Sequence, residues 1–371
     1  MREYEVGPIR PPSEAESLLL RVTRNCPWNK CKFCTLYKGE KFSIRSNEDI
    51  FRDIDLVKAS IDIMENNEEV SYSDLMKDIP ENSEWAISSA VSFYRNGMKS
   101  VFLQDADTMI IKPDDMVEIL NYLKKTFPKV ERITSYGRSS SLSHISIEDM
   151  KRIADAGLNR VHMGMETGSD TALELVKKGT TKEKHILGGQ RVKEAGIELS
   201  VYYMPGLGGT EYSYENAVET ADAINKIDPD YIRIRTLAVS GNSLLSEDYE
   251  KNIFHRTNDT KIVQELRLMI SELEGISSTV VSDHIINLIP EVNGKLPEEK
   301  EKMIAAIDWY LNLSEEDKMI YRIGRRTGII ISRKAFGNEV LRLRTERIIK
   351  KEGINHDNID MFTDQLISRY I

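Results

Sequence analysis

The stretch DAGLNRVHMG, which runs from Asp155 to Gly164, contains the pattern that decides the fold of this chain. A helix-like segment ends at Gly157, and a short strand-like segment follows it directly. Glycine suits the left-handed position that ends a helix, and valine, tyrosine and phenylalanine favour strands. The same pattern recurs in RNGMKSVFLQD (Arg95–Asp105) and in EAGIELSVYYMPG (Glu194–Gly206). The chain therefore repeats a helix–glycine–strand unit.

Six strands are predicted from these patterns: Ser17–Arg24, Ser100–Gln104, Arg132–Ser135, Arg160–Met165, Glu198–Met204 and Tyr231–Leu237. From the second strand onward the strand starts lie 28 to 38 residues apart, which is the spacing of a repeated βαβ unit and implies a parallel sheet. Six is fewer than the eight strands of a complete TIM barrel. The predicted fold class is therefore α/β: a partial (β/α)6 TIM-type barrel with a helical C-terminal extension.

Three regions are predicted along the 371 residues. Residues 1–16 form an N-terminal segment, and residues 17–249 form the barrel. The first crossover is longer than one helix requires, which indicates an inserted helical segment at about 50–99. Residues 250–371 show helical periodicity with few strand signals, so a mainly helical region is expected there. Within it, the polar stretch Ser282–Lys300 is either a surface connection or a cap over the open barrel, and we favour the cap.

The composition is that of an ordinary globular protein, with 40% hydrophobic and 30% charged residues. No run approaches the ~18 apolar residues of a membrane span, and the N-terminus lacks the apolar core of a signal peptide. We therefore expect a cytoplasmic protein without a membrane partner. The net charge of −9 argues against bulk binding of nucleic acid. Tyr321–Lys351, with ten Lys/Arg against two Glu, is either a solvated helical face or a phosphate-contacting surface.

All three cysteines lie within the stretch NCPWNKCKFC (Asn25–Cys34), with the spacing C-x4-C-x2-C. Cys26, Cys31 and Cys34 follow the first predicted strand, at the strand end where α/β barrels place active sites. Closely spaced thiolates bind zinc or iron–sulfur clusters. A zinc site needs a fourth ligand, and the nearest histidine, His144, lies in another predicted unit. A [4Fe–4S] cluster on three thiolates fits better, and three buried apolar cysteines are the remaining alternative.

Two motifs resemble one known family. CKFC after the first strand of a partial barrel resembles the radical S-adenosylmethionine (SAM) superfamily. VHMGMETGSD (Val161–Asp170) resembles the signature of its branch that contains methylthiotransferases and coproporphyrinogen-dehydrogenase-like enzymes. The resemblance implies a [4Fe–4S] cluster whose fourth iron is chelated by SAM, and reductive cleavage of SAM to a 5′-deoxyadenosyl radical that abstracts hydrogen from a substrate. The family's usual spacing is C-x3-C-x2-C, so this chain has one extra residue.

The resemblance also implies positions that bind SAM. Phe33 would lie near the adenine, or pack as a loop residue on the core. Glu166 would bind the ribose hydroxyls, with an internal salt bridge as the alternative. The glycine-rich loop at Gly206 would let the backbone approach the ligand closely. At the end of the second strand the family often has a Gly-Gly-Glu motif that meets the SAM amino group. The candidates at that place in this chain are Gln104, Asp105 and Asp107, of which an aspartate could instead cap a turn.

Arginines complete the candidate site. Arg233 and Arg235 share one face of the sixth strand by its two-residue period, and we expect both to point into the barrel. Buried arginines need anionic partners. The carboxylate of SAM or a substrate acid would serve, and so would an internal carboxylate such as Glu166 or Asp105. Arg138, just after the third strand, is a comparable candidate.

Together these features predict an anaerobic radical SAM oxidoreductase with one cluster, because the motif uses every cysteine of the chain. The substrate, a small molecule or a modified macromolecule, is not identified by the sequence, and no catalytic residue is assigned. A low-potential electron donor of the flavodoxin or ferredoxin type is the expected partner. The alternative is a metal- or cluster-stabilised module that binds nucleic acid through Tyr321–Lys351.

Overall fold

A computed structural model describes residues 4–66, 71–78, 84–239 and 241–367. The predicted regions 1–16, 17–249 and 250–371 and the predicted insertion at 50–99 each extend in part over residues outside these ranges: 1–3, 67–70, 79–83, 240 and 368–371. None of the described helices is both long enough and apolar enough to cross a membrane.

The strands are β1 Leu18–Arg21, β2 Thr23–Arg24, β3 Ser43–Ile44, β4 Ser100–Gln104, β5 Arg132–Gly137, β6 Arg160–Glu166, β7 Glu198–Tyr203, β8 Tyr231–Ile234, β9 Thr279–Val281 and β10 Gly294–Lys295. Eight of them form one mostly parallel sheet in the order β1-β4-β5-β6-β7-β8-β9-β10, and β2 pairs with β3 separately. This mixed α/β arrangement confirms the predicted fold class.

The helices are α1 Asn47–Asn66, α2 Tyr72–Asp78, α3 Glu84–Arg95, α4 Pro113–Thr126, α5 Ser139–Leu142, α6 Ile147–Ala156, α7 Asp170–Leu175, α8 Lys182–Glu194, α9 Ser213–Ile227, α10 Leu244–Glu250, α11 Asp259–Glu272, α12 Lys300–Leu311, α13 Glu315–Arg326, α14 Arg333–Phe336, α15 Glu339–Glu352 and α16 Ile359–Ile367. Helix α6 shows the local rules at work. Ser146 caps its first turn by accepting the Asp149 N–H, and Gly157 ends it with a φ of +121°.

The chain divides into two compact units, with boundaries inside β6 and β7. The first unit comprises Met1–Asn29, Leu36–Gly164 and Leu187–Leu199. Within it, β1, β4, β5 and β6 pair in parallel, so their carboxyl ends lie along one edge. Helix α1 packs against α3 and α4, and α4 packs against α6. Buried apolar side chains such as Leu20 and Phe102 fill this core.

The second unit comprises Lys30–Thr35, Met165–Ile186 and Ser200–Ile371. Within it, β7, β8 and β9 pair in parallel, and β10 is antiparallel to β9. Helix α11 packs against both α9 and α12. The domain boundaries proposed from the sequence stay a prediction.

Two details differ from the sequence prediction. The first predicted strand is divided at Val22, whose N–H donates to the Gln104 carbonyl 2.6 Å away, and β2 beyond it turns to pair with β3. The C-terminal region also contributes strands β9 and β10, where mainly helix was expected. Strand β9 has three residues, too few to show a period of two. Its pairing with β8, which lies more than forty residues earlier, is what makes it a strand.

Candidate functional site

The cysteine segment is a loop between β2 and β3, whose pairing of Thr23 with Ile44 and of Arg24 with Ser43 holds its two ends together. None of the three cysteines is in a disulfide: Cys31 is buried, and Cys26 and Cys34 are partly exposed. The unit boundary falls within the loop, so that Cys26 belongs to the first unit and the other two to the second.

Three cysteine thiols on one loop fit a [4Fe–4S] cluster by the chemistry of the donor set. Over the part of the chain that the structure describes, no three His, Cys, Asp or Glu side chains stand in a metal-holding arrangement. The fit therefore rests on the kind and spacing of the ligands.

Asp105 anchors this loop on both sides of the cysteines. Its fully buried carboxylate accepts hydrogen bonds from the Arg21 guanidinium at 2.9 Å, the Asn25 N–H at 3.2 Å and the Tyr37 hydroxyl at 2.5 Å. Asn25 precedes the cysteines and Tyr37 follows them, so one carboxylate holds both ends of the loop. The backbone of Gly7 covers it, and a Cβ at Gly7 would lie 2.8 Å from Asp105 Oδ1, which explains the glycine.

The other candidates of the first unit also have partners within the protein. The Gln104 side chain accepts from the Gly7 N–H at 2.8 Å and donates to the Ile9 carbonyl at 2.6 Å. Asp107 is buried, accepts from the Arg138 N–H at 2.9 Å, and so caps the turn after β5. The Arg138 guanidinium lies over the Trp28 ring, 5.5 Å from its centroid. A role of these side chains in SAM binding stays a prediction.

Glu166 ends β6 in the second unit. Its backbone is left-handed, with a φ of +69°, a conformation that costs about 1–3 kcal/mol in a residue other than glycine and is concentrated at functional sites. Its carboxylate pairs with Lys178 at 3.1 Å, and the Lys178 ammonium also lies 5.6 Å from the centre of the Phe33 ring. Phe33 itself packs against a buried cluster that includes Met204. The internal salt bridge expected as the alternative for Glu166 is thus present, as its pair with Lys178, and the Glu166 side chain is still partly exposed.

The rest of the METGSD motif is structural. A Cβ at Gly168 would lie 2.3 Å from the Glu219 carbonyl, so only glycine lets the turn pack this closely on α9. The Ser169 hydroxyl caps α7 by accepting the Ala172 N–H at 3.0 Å. The motif therefore fixes the turn in which Glu166 is presented.

The two arginines of β8 have different environments. Arg233 is buried, donates to Ser200 Oγ at 3.2 Å, and pairs with Asp283 at 2.9 Å. Arg235 is exposed, so the expectation that both are buried is wrong for this one. The reason is that β8 ends at Ile234, one residue before it.

The nearby His284 ring is neutral at pH 7. Burial is the main cause and the positive charge of Arg235 the second, and together they lower the pKa of His284 to about 4.

Part of the predicted cap lies on the end of β8. The Asn287 side chain accepts from the Thr236 N–H at 3.0 Å and donates to the Ile234 carbonyl at 2.7 Å. The Arg325 guanidinium in turn donates to the Asn287 carbonyl at 2.7 Å. Arg322 and Arg326 pair with Asp259. Arg342 pairs with Asp317 and Lys351 with Glu352, so at least five of the ten cations in Tyr321–Lys351 are bonded internally, which neither interpretation of that run anticipated.

Gly206 lies in the loop after β7, and the buried Glu265 of α11 holds this loop in place. Glu265 Oε1 accepts from the Gly206 N–H at 2.8 Å, the Tyr203 hydroxyl at 2.9 Å and the Asn216 amide at 2.7 Å. Its Oε2 accepts from Ser213 Oγ at 2.5 Å. No cation is among these partners, and burial raises the pKa of Glu265 to about 7.

This pKa predicts how stability changes with pH. Below pH 4.5 the carboxyl is protonated in both the folded and the unfolded chain. Between pH 4.5 and 7 the unfolded chain loses this proton while the folded protein keeps it, so stability falls as pH rises. The difference between 4.5 and about 7 corresponds to about 3 kcal/mol. In Glu265→Gln the amide oxygen can take the three Oε1 bonds, and the NH2 group can donate to Ser213.

We therefore expect Glu265→Gln to gain about 2–3 kcal/mol in unfolding free energy, relative to wild type, on going from pH 5 to pH 8. Urea unfolding at both pH values measures this difference. Glu272→Gln, on the exposed side of the same helix, is the matched control and should show no such change. A Glu265→Gln difference that is the same at both pH values would contradict the assignment.

Several of these residues were not found from the sequence. Each of them is the partner of a residue that the sequence had indicated. They are Tyr37, which bonds to Asp105; Lys178, which pairs with Glu166; Asp283, which pairs with Arg233; and Glu265, which bonds to Gly206. Lys178 had a signal, because it lies twelve residues after Glu166 in the motif-like stretch LVKKGTT. Glu265 had none, since its partners lie 49 to 62 residues away in the chain.

Comparison with known proteins finds a similarity to one family in part of the chain. Residues 88–224 match the family model described as the radical SAM superfamily. The heme chaperone HemW of Bacillus subtilis (strain 168) is 18% identical over 48% of this chain and 46% of its own length. A biotin synthase of Clostridium botulinum (strain Loch Maree / Type A3) is 24% identical over 56% of this chain and 58% of its own length. Residues 88–224 of this chain are thus similar to the radical SAM superfamily.

The chain spans about half the length of these curated relatives. A solved structure of coproporphyrinogen III oxidase (HemN) from Escherichia coli aligns with a TM-score of 0.45 and 12% identity, over 69% of this chain and 51% of that chain.

Proposed function

We propose that this protein is a radical SAM enzyme that uses one [4Fe–4S] cluster, held by Cys26, Cys31 and Cys34, to cleave SAM and abstract hydrogen from a substrate that is still to be identified. The observation that carries the proposal is the set of three cysteine thiols, none in a disulfide, on the single loop between β2 and β3. When bound, the reduced cluster supplies the electron that cleaves SAM to methionine and a 5′-deoxyadenosyl radical.

The protein's own residues hold the reactants in this proposal. Glu166 accepts hydrogen bonds from the ribose hydroxyls of SAM, since its partly exposed carboxylate is presented at the carboxyl end of a parallel strand. Lys178 keeps that carboxylate oriented and contacts Phe33. Asp105 holds the ends of the cysteine loop. Arg235, which is exposed just beyond β8, binds an acidic group of SAM or of the substrate.

The wider context is part of the same proposal. Cleavage of SAM consumes one electron, so a low-potential donor of the flavodoxin or ferredoxin type is the expected partner. We also propose an oxidoreductase that works without oxygen in the cytoplasm. The alternative of a nucleic-acid-binding module is not carried forward, because Arg322, Arg325 and Arg326 of the basic run are bonded internally.

Anaerobic reconstitution tests the proposal. The protein is loaded with iron and sulfide, reduced with dithionite and given SAM, and 5′-deoxyadenosine is then quantified. We expect product from the wild type and none from Cys31→Ala, which loses an iron ligand. Glu166→Gln should keep the cluster absorbance but bind SAM about 10- to 100-fold more weakly, because a charged hydrogen-bond acceptor is lost.

Equilibrium dialysis with labelled SAM distinguishes the remaining outcomes. If iron and SAM bind but no product forms, the chemistry awaits its substrate, and SAM binding by itself supports the site. If zinc binds in place of iron and SAM does not bind, the proposal is wrong.

A further inference from the structure

The extra residue of the C-x4-C-x2-C motif has a defined place in the loop. Asn29 is one of the four residues between Cys26 and Cys31, and its backbone is left-handed with a φ of +46°. Asparagine is among the few residues other than glycine that adopt this conformation readily. The Asn29 N–H donates to Cys26 Sγ, 3.4 Å away.

The Asn29 side chain and carbonyl connect this turn to the far side of the loop. The amide nitrogen donates to the carbonyls of Tyr37 and Glu40. The Asn29 carbonyl accepts from the Lys38 ammonium at 2.8 Å. Because the Tyr37 hydroxyl donates to the buried Asp105, these bonds connect Asn29 to the end of β4.

We infer that Asn29 is a positioning residue that closes the longer loop and holds the Cys26 sulfur for the cluster. This inference rests on the proposed function. The backbone hydrogen bond to Cys26 Sγ fixes the orientation of this sulfur within the loop. Bonds to the ligand sulfurs also help to set the reduction potential of a cluster. Replacing a residue that hydrogen-bonds to a metal ligand typically changes metal affinity about 10- to 100-fold.

Two substitutions separate the backbone from the side chain. Asn29→Asp keeps the shape and tolerates the left-handed backbone, but its carboxylate cannot donate to the two carbonyls. Asn29→Gly can adopt the same left-handed backbone conformation without strain, and it removes the side-chain hydrogen bonds. The matched control is Asn252→Asp, at another asparagine with a positive φ, +57°, which is exposed and belongs to the second unit.

The experiment has three readouts after anaerobic reconstitution: the rate of iron loss to a chelator, the midpoint potential by EPR-monitored titration, and the thermal unfolding temperature. For Asn29→Asp we expect iron loss about tenfold faster than wild type and a more negative potential, with thermal unfolding unchanged. Asn29→Gly should lie between the two. Asn252→Asp should match the wild type in all three.

A fourth readout needs no cluster. In the metal-free protein, alkylation of Cys26 by iodoacetamide, followed by mass spectrometry, should be several-fold faster in Asn29→Gly than in wild type, because the side-chain bonds that close the loop are lost and no charge is added. Wild-type rates of iron loss in Asn29→Asp and of alkylation in Asn29→Gly would overturn the inference while leaving the proposed function intact. If the wild type itself binds no cluster, the proposed function fails, and the alkylation rate then decides whether Asn29 still holds Cys26.

Discussion

Asp105→Ala is expected to lose most of its iron before any SAM is added, and to unfold about 3–5 kcal/mol more easily than the wild type. The carboxylate is fully buried and accepts from Arg21, Asn25 and Tyr37. Its removal leaves the Arg21 guanidinium, which is only 15% exposed, without this partner and releases both ends of the cysteine loop. Breaking a buried ion pair on one side is costly because the remaining charge stays buried.

This result would also separate two roles for Asp105. If Asp105 contacts only SAM, the Asp105→Ala protein should have full iron content and bind SAM more weakly. If Asp105 anchors the loop, the variant should have low iron content at any SAM concentration. Iron and sulfide analysis after reconstitution, together with urea unfolding of the metal-free protein, makes the distinction. Asp114→Ala is the matched control, because Asp114 also pairs with an arginine but is 81% exposed. An Asp105→Ala protein with wild-type iron would contradict the anchor.

Asp259→Ala is expected to have a comparable effect in the second unit. The carboxylate of Asp259 is 1% exposed and pairs with Arg326 at 2.6 Å and Arg322 at 3.2 Å. Burial opposes its ionisation, yet the two guanidinium groups hold its pKa well below the ordinary value. Alanine would leave two buried guanidinium groups without this anion, at a cost of about 3–5 kcal/mol.

Urea unfolding at pH 7 measures this loss, with Asp308→Ala as the control. Asp308 also pairs with an arginine, Arg267, at 2.5 Å, but both side chains are more than one-third exposed. Solvent-exposed pairs contribute about 0–1 kcal/mol. Equal losses of unfolding free energy in the two variants would show that burial does not determine how much the Asp259 ion pairs contribute to stability. Because Arg326 also donates to the Ile286 carbonyl, proteolysis near residue 286 should become faster in Asp259→Ala alone.

Much of the fold could be predicted from the sequence, because its signals are local. The glycines that end helices and the apolar strands after them recur at intervals close to one βαβ unit. Where the signal was short, prediction failed: β9 has three residues and β10 has two. A strand of this length forms because a neighbouring strand supplies its hydrogen bonds, and that neighbour is distant in the chain.

The candidate site divides in the same way. The sequence by itself determined which residues could bind iron, because all the cysteines lie within nine positions, and where Glu166 stands, because it ends a recognisable strand. Only the tertiary structure decided what each polar side chain does. Asp105 meets Tyr37 across 68 residues of chain, and Glu265 meets Tyr203 across 62. Burial determines these contacts, because a buried carboxylate is stable only where the fold places hydrogen-bond donors beside it. No local sequence pattern predicts them.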